Sequence, residues 1–207
     1  MNRRQAILTA GAALGAAGTA LVADPMLGGK AQACEVKGTP LEAMHLHLCA
    51  FHVANDDSKF QLEAHHYCMD LGEEYPGVFQ CIVTESNKVG ARVLGIEYIV
   101  TDEIFQKLEK AEKALWHPHD YEVTSGLLVA PKLSEEDENK FLKVVRKTWG
   151  KTYHTWRDPA TKLPLGEPRL MVAFIKDGEI REDLVKKRDK DLGIDTEKIK
   201  KRRVGKV

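Results

Sequence analysis

The chain has 207 residues, 31 basic and 31 acidic, so it carries no formal net charge and no global drive toward nucleic acid. Hydrophobic residues make up 43 %, which with this length suits one buried core at roughly 100–200 residues per domain. Four cysteines, at positions 34, 49, 68 and 81, show no C-x-x-C spacing, which excludes a zinc ribbon and a thioredoxin motif.

In chain order, Asn2-Arg3-Arg4-Gln5-Ala6 leads into an Ala/Gly-rich apolar stretch, Ala10 to Val22, and the small-residue site Ala31-Gln32-Ala33 closes it. A basic start, a short apolar region and an A-x-A site are the parts of a secretory signal, and the paired arginines point to twin-arginine translocation. The alternative is an ordinary secretory signal; a membrane span falls short of the roughly 20 apolar residues it needs. Residues 1–33 are therefore expected to be removed, leaving a periplasmic or secreted chain of 174 residues with two net negative charges and no transmembrane helix. Cys34 then opens the mature chain, but Ala31-Gln32-Ala33 is a poor lipid-attachment box, which argues against lipoprotein anchoring.

Thr39-Pro40-Leu41-Glu42 has the N-cap, the first-turn proline and the capping-box Glu of a helix start, and Leu41, Met44, Leu48 and Phe51 fall on one helical face. Strands are expected at Gln61 to Met69, Val78 to Glu85 and Ala91 to Val100, the last apolar on both faces and so central. Thr101-Asp102 caps a helix with the stripe Ile104, Leu108, Ala111 and Leu115. Tyr121 to Val129 alternates as a strand. Ser134 opens a helix through Phe141, Val144, Val145 and Thr148 that Gly150 ends; strands near Lys151–Trp156 and Arg169–Ile175 follow. A short helix is read at Ile180–Asp191, and the basic run Lys198 to Lys206 reads as a solvated tail. Short strands and helices in mixed order with hairpin-length links imply an α+β class: a single compact domain with a mostly antiparallel sheet and packed helices. The expected organisation is an export signal over 1–33, a domain over 34–175 and a charged C-terminal helix and tail over 176–207.

The chemistry-bearing residues are the histidines. His47 and His52 flank the apolar face of the first helix, with His45 turned further out. His117 and His119 share a side of an extended segment around Pro118 and can offer two imidazoles to one ion. His65 and His66 point to opposite faces of a strand: His66 shares its face with Cys68, and His65 with Glu63 and Tyr67. Glu97 stands in an otherwise apolar strand, where an ionised carboxylate is costly unless paired or bound to a cation. Strand parity puts Glu122 on the face away from His117 and His119. The metal candidates are thus His52, His65, His66, Glu97, His117 and His119, set against the reading of hydrogen-bonded structural histidines. Cys68 and Cys81 are equidistant from the turn at Glu74-Tyr75 and face each other in a symmetric hairpin, as a disulfide, as soft ligands or, most simply, as buried apolar residues.

Ala50-Phe51-His52, Glu63-Ala64-His65-His66-Tyr67-Cys68, Phe79-Gln80-Cys81 and Gly95-Ile96-Glu97-Tyr98-Ile99 resemble segments of the oil-body-associated protein family. Leu115-Trp116-His117-Pro118-His119, Tyr121-Glu122-Val123, Ser125-Gly126, Gly150-Lys151-Thr152, His154-Thr155-Trp156 and Leu163-Pro164-Leu165-Gly166 continue the resemblance in order, over roughly residues 45–175. The resemblance implies one family-wide domain of undefined biochemical activity; plant members associate with seed oil bodies. It marks His52, His65, His66, Cys68, Glu97, His117, His119, Glu122 and His154 as matching positions without giving their roles. The exported N-terminus departs from the plant pattern, so an oil-body location is not carried over.

The first expectation is an exported metal-binding protein, with His and Glu donors suited to Zn, Fe, Mn or Cu. The alternative is a non-enzymatic lipid-interface or structural protein, which needs an exposed apolar patch or amphipathic helix. The partner is a small molecule or a lipid, and no nucleic acid is predicted.

Overall fold

The computed structural model describes residues 21–24, 29–32 and 37–207, and it falls into two units, 1–42 and 43–207. In the first unit, β1 (Leu21–Asp24) and β2 (Gly29–Gln32) form an antiparallel hairpin. The Arg3-Arg4 pair, Ala33 and Cys34 lie outside the described residues.

The second unit corrects the α+β expectation: it is a closed antiparallel β-barrel of six strands with a few short helices. Around it run β3 (Leu46–Ala54), β4 (Asp57–Asp70), β5 (Val78–Thr84), β6 (Val93–Thr101), β8 (Thr148–His154) and β9 (Arg169–Val172). Consecutive hairpins give β3–β4–β5–β6. Closure comes from β8, which pairs with β6 along its length and with β9, while β9 pairs back onto β3. Closure removes the exposed edges that an open sheet leaves. A two-residue strand, β7 (His117–Pro118), shares the β9 side of β8, opposite Gly150 and Trp149.

The expected first helix is a single 3-10 turn, Pro40–Ala43, in which Glu42 accepts from the Gly38 amide; the start signal is real but the helix does not continue. From Leu46 onward the chain is β3, and the stripe of Leu48 and Phe51 splits between its two faces. Leu48 and Ala50 point into the barrel with Cys68, Cys81 and Ile99. Cys49, Phe51 and Val53 point outward and pack under Leu127, Val129, Phe174, Leu184, Val185 and Ile199. Burial on both sides is why the segment reads apolar at every spacing.

Four further expectations are corrected. The helix after Thr101 breaks near Leu108 into α1 (Asp102–Gln106) and α2 (Lys110–Lys113). Tyr121 to Val129 is no strand: α3 (Asp120–Ser125) takes its first half, opened by acidic residues and closed by Gly126 at φ +81°, the left-handed cap glycine accepts readily. Ser134 does cap α4 (Glu135–Val145), accepting from the Asp137 amide, but Gly150 lies inside β8, beyond the end of that helix. α5 (Glu182–Leu192) takes the place of the helix read at Ile180–Asp191, but the basic run after it folds as α6 (Thr196–Arg203) rather than a solvated tail. Arg188 and Arg203 are fully buried there. Arg188 donates to the carbonyls of Gly126 and Leu127, and Arg203 to those of Val123 and Leu128. These bonds lash the last two helices to α3 and the segment after it.

Val123, Leu128, Leu142 and Val145 of α3, α4 and their link pack against the inward residues at one end of the barrel. Ala64, Val83 and Leu94 form a separate cluster with Trp156. Cys68 and Cys81 face each other across β4 and β5 with Cα atoms 4.0 Å apart and are joined in a disulfide, not left as free apolar residues.

Candidate metal centre

Strand parity turns His52 of β3, His66 of β4, Glu97 of β6 and His154 of β8 into the barrel. On each strand the residues between them face outward. The chain returning from α2 adds His117 on β7 and His119 at the start of α3. All six are buried, none more than 4 % exposed. Taking a carboxylate and several imidazoles out of water together is costly unless they satisfy one another or a cation.

Glu97 is the hub. Its Oε2 lies 3.1 Å from Nε2 of His66, while its Oε1 lies 3.4 Å from Nε2 of both His117 and His119. His66 Nε2 also lies 3.0 Å from Nε2 of His52, whose Nδ1 is 3.0 Å from Nε2 of His154. Thr148 fixes one tautomer. Its hydroxyl donates to the Val145 carbonyl at 2.6 Å, so at 2.8 Å it accepts from Nδ1–H of His119. That tautomer of His119 presents a bare Nε2 to the carboxylate. Two lone-pair atoms facing each other at 3.4 Å call for a positive charge between them.

The spacing matches an ion better than a hydrogen bond. Ligand atoms about 2.0–2.1 Å from a tetrahedral ion stand about 3.3–3.4 Å apart, whereas good N–H···O bonds run about 2.7–3.2 Å. Gly150 provides the room. A Cβ there would come within 2.8 Å of Nε2 of both His117 and His119 and would collide with Glu97 Oε1. The cavity at this point, ≈ 10 Å³, has the room of about one water and is also lined by Glu122, Leu48, Ile99 and Leu128.

Burial works against the Glu97 charge, but the close approach of the His117, His119 and His66 rings outweighs it and holds its carboxyl well below the usual range. Glu122 shows the opposite balance: burial first, then the Glu97 charge, push its carboxyl well above the usual range. Burial likewise lowers His52, His117 and His154, the last to about 3, keeping these rings neutral. Neutral imidazoles and one ionised carboxylate are donors in the form a metal ion needs.

Of the six candidates, His52, His66, Glu97, His117 and His119 converge; His65 does not. It points outward, with Nδ1 3.0 Å from His47 Nε2 and Nε2 3.0 Å from Glu63, whose other oxygen pairs with Lys187. Glu122 reaches the cavity because α3 turns it to the side of His119, three residues back, where strand parity had sent it away. Sequence reasoning missed Thr148, Thr152 and Gly150. A glycine inside a strand, between Trp149 and Lys151, is the signal for a close approach that could have found the last.

A family model described as a protein of unknown function (DUF1264) matches residues 38–206. Oil body-associated protein 1A of Zea mays is 42 % identical over 165 residues, covering 79 % of this chain and 68 % of the relative. Oil body-associated protein 1B of Arabidopsis thaliana is 38 % identical over 159 residues, 76 % of this chain and 65 % of that one. Oil body-associated protein 2B of the same plant is 41 % identical over 169 residues, 80 % and 67 %. The chain thus spans about two thirds of the length of these curated relatives. No solved structure matches it.

Proposed function

The chain belongs to this family of oil body-associated proteins, and from that premise we propose that it is a metal-binding protein whose barrel holds a divalent transition-metal ion on Glu97, His117 and His119. The observation that carries the reading is the 3.4 Å spacing of the two Nε2 atoms from Glu97 Oε1, beside the space that Gly150 leaves. Thr148 holds His119 in the ligating tautomer, the outer contact that metal-bound histidines commonly have. Nitrogen and oxygen donors suit Zn, Fe, Mn or Cu. The cavity has the room of about one water, a size that suits a single bound ion at this point. Elemental analysis of protein purified from its native compartment tests the proposal: metal in proportion to protein, lost from the His117→Ala/His119→Ala double variant with the fold retained, is the expected result. Metal content unchanged in that variant would refute it.

The same proposal includes export. The paired arginines and A-x-A site support it, and a disulfide between Cys68 and Cys81 suits an oxidising compartment.

A second reading, contact with a lipid interface, draws on one observation. Tyr67, Ile82, Ile96, Tyr153 and Leu170 stand opposite one another in register across five strands, all on the outside of the barrel. Ile96 is 45 % exposed. No helix among the described residues is long and apolar enough to cross a membrane, and the apolar side of α4 is already used against the core. Flotation with phospholipid-coated oil droplets tests it: an Ile96→Glu variant that floats as well as the parent protein removes this reading.

A further inference from the structure

We infer that the barrel interior holds a pair of divalent ions bridged by the Glu97 carboxylate; the inference rests on the metal-binding reading above and fixes its nuclearity. The two oxygens of Glu97 serve different partners. Oε1 faces His117 and His119, and Oε2 faces His66, which in turn meets His52. Each set offers one carboxylate oxygen and two imidazole Nε2 atoms, and the sets share no residue but Glu97. Two-metal sites space their ions about 3.5–4 Å apart, a span one carboxylate bridges with an oxygen on each ion.

The second set has the marks of the first. In the His117/His119 set, Nδ1–H of His119 is taken by Thr148, freeing Nε2. In the His52/His66 set, Nδ1 of His52 lies 3.0 Å from Nε2 of His154, so a proton on that Nδ1 leaves Nε2 of His52 bare. Each set therefore contains one histidine whose far nitrogen is held by a neighbour, the arrangement that orients metal-bound imidazoles. Protons serve the second set poorly. Nε2 of His66 carries at most one, yet it is 3.0 Å from His52 Nε2 and 3.1 Å from Glu97 Oε2. One cation satisfies all three atoms at once. The contacts are a few tenths of an ångström shorter than the edge of about 3.3–3.4 Å around a tetrahedral ion, an adjustment within reach of small ring rotations.

Thr152 is fully buried opposite Glu97 in the β6–β8 register, and its hydroxyl has no partner. The cavity at Glu97 is lined by both sets, by His52 and His66 as well as by His117 and His119.

The test loads the full-length, metal-stripped protein with Mn²⁺ and counts ions by native mass spectrometry, with electron paramagnetic resonance to detect coupling between them. Two ions per chain with an exchange-coupled spectrum are expected, and the His52→Gln/His66→Gln double variant should hold one ion with an uncoupled spectrum. One ion at saturation in the parent protein overturns the pair and leaves the single-ion reading standing; none overturns both. Two uncoupled ions place the second elsewhere and also overturn the bridge. Should the double variant fail to fold, stoichiometry and coupling in the parent protein still decide.

Discussion

His119 and Thr148 are locked in one direction: the threonine hydroxyl gives its proton to the Val145 carbonyl and takes one from the ring, at 2.8 Å. Replacing Thr148 by valine keeps the shape and removes the acceptor. The ring is then free to swap tautomers, and metal affinity should fall about 10–100-fold, the usual cost of losing such an outer contact. Competition with a chromophoric chelator measures this, and an unchanged affinity would show that Thr148 does not orient the donor.

Gly150→Ala should empty the site. The added methyl occupies the space between Glu97 Oε1, His117 and His119. The ion of the His117/His119 set should be lost, leaving at most the one on His52 and His66, while the far-ultraviolet circular dichroism stays that of a β-barrel. Full metal content in the alanine variant would place the ion away from this gap.

Stability should decline on mild acidification. Burial lowers His47 from 6.5 to about 4, assisted by the neighbouring His65, Lys132 and His66 side chains. The unfolded chain takes up this proton near pH 6.5 and the folded one only near pH 4, so the stability present above pH 6.5 is lost progressively down to about pH 4. The melting temperature of the metal-free protein should fall across that window, and His47→Gln should flatten the slope. An equally steep slope in the variant would assign the loss to other groups.

Arg203→Met should destabilise the barrel by about 2–4 kcal/mol, because it strips the carbonyls of Val123 and Leu128 of a buried charged donor. Urea denaturation reads this out. A change within 0.5 kcal/mol, about the ordinary surface effect, would show the arginine to be dispensable.

Changing Arg3 and Arg4 together to lysine should block export, and exported parent protein should begin at Cys34. Intact mass and fractionation measure both. Normal export of the Lys-Lys variant would exclude the twin-arginine route without touching the cleavage prediction.

The donors were legible where cost alone reveals them. A glutamate at position 97 in an apolar strand and two histidines flanking Pro118 need partners in any fold. Adjacent His65 and His66 had to part, and they did. The architecture was not legible, because barrel closure depends on β8 filling the gap between β6 and β9, and its pairing with β6 joins residues 47 to 59 positions apart, which no local pattern encodes. Segment 39–51 misled for a related reason: with both faces of β3 buried, its apolar residues satisfy helical and strand spacing alike. Glu122 was sent to the wrong side by an alternation, Tyr121, Val123, Leu127 and Val129, that straddles a helix and an extended segment. Arg203 sits in a basic run whose composition cannot show that one guanidinium turns inward.

The closing of the barrel by β8 also sets a timetable. His52 and His154 meet across 102 residues, and the Glu97 strand finds its second neighbour only when β8 has formed. A ribosome-bound chain must therefore release most of its length before the donors can assemble, and such distant pairings are slow to form. On the metal-binding proposal, an ion can be enclosed only when that last strand docks, so the compartment in which the chain folds is the one whose ions the donors meet first.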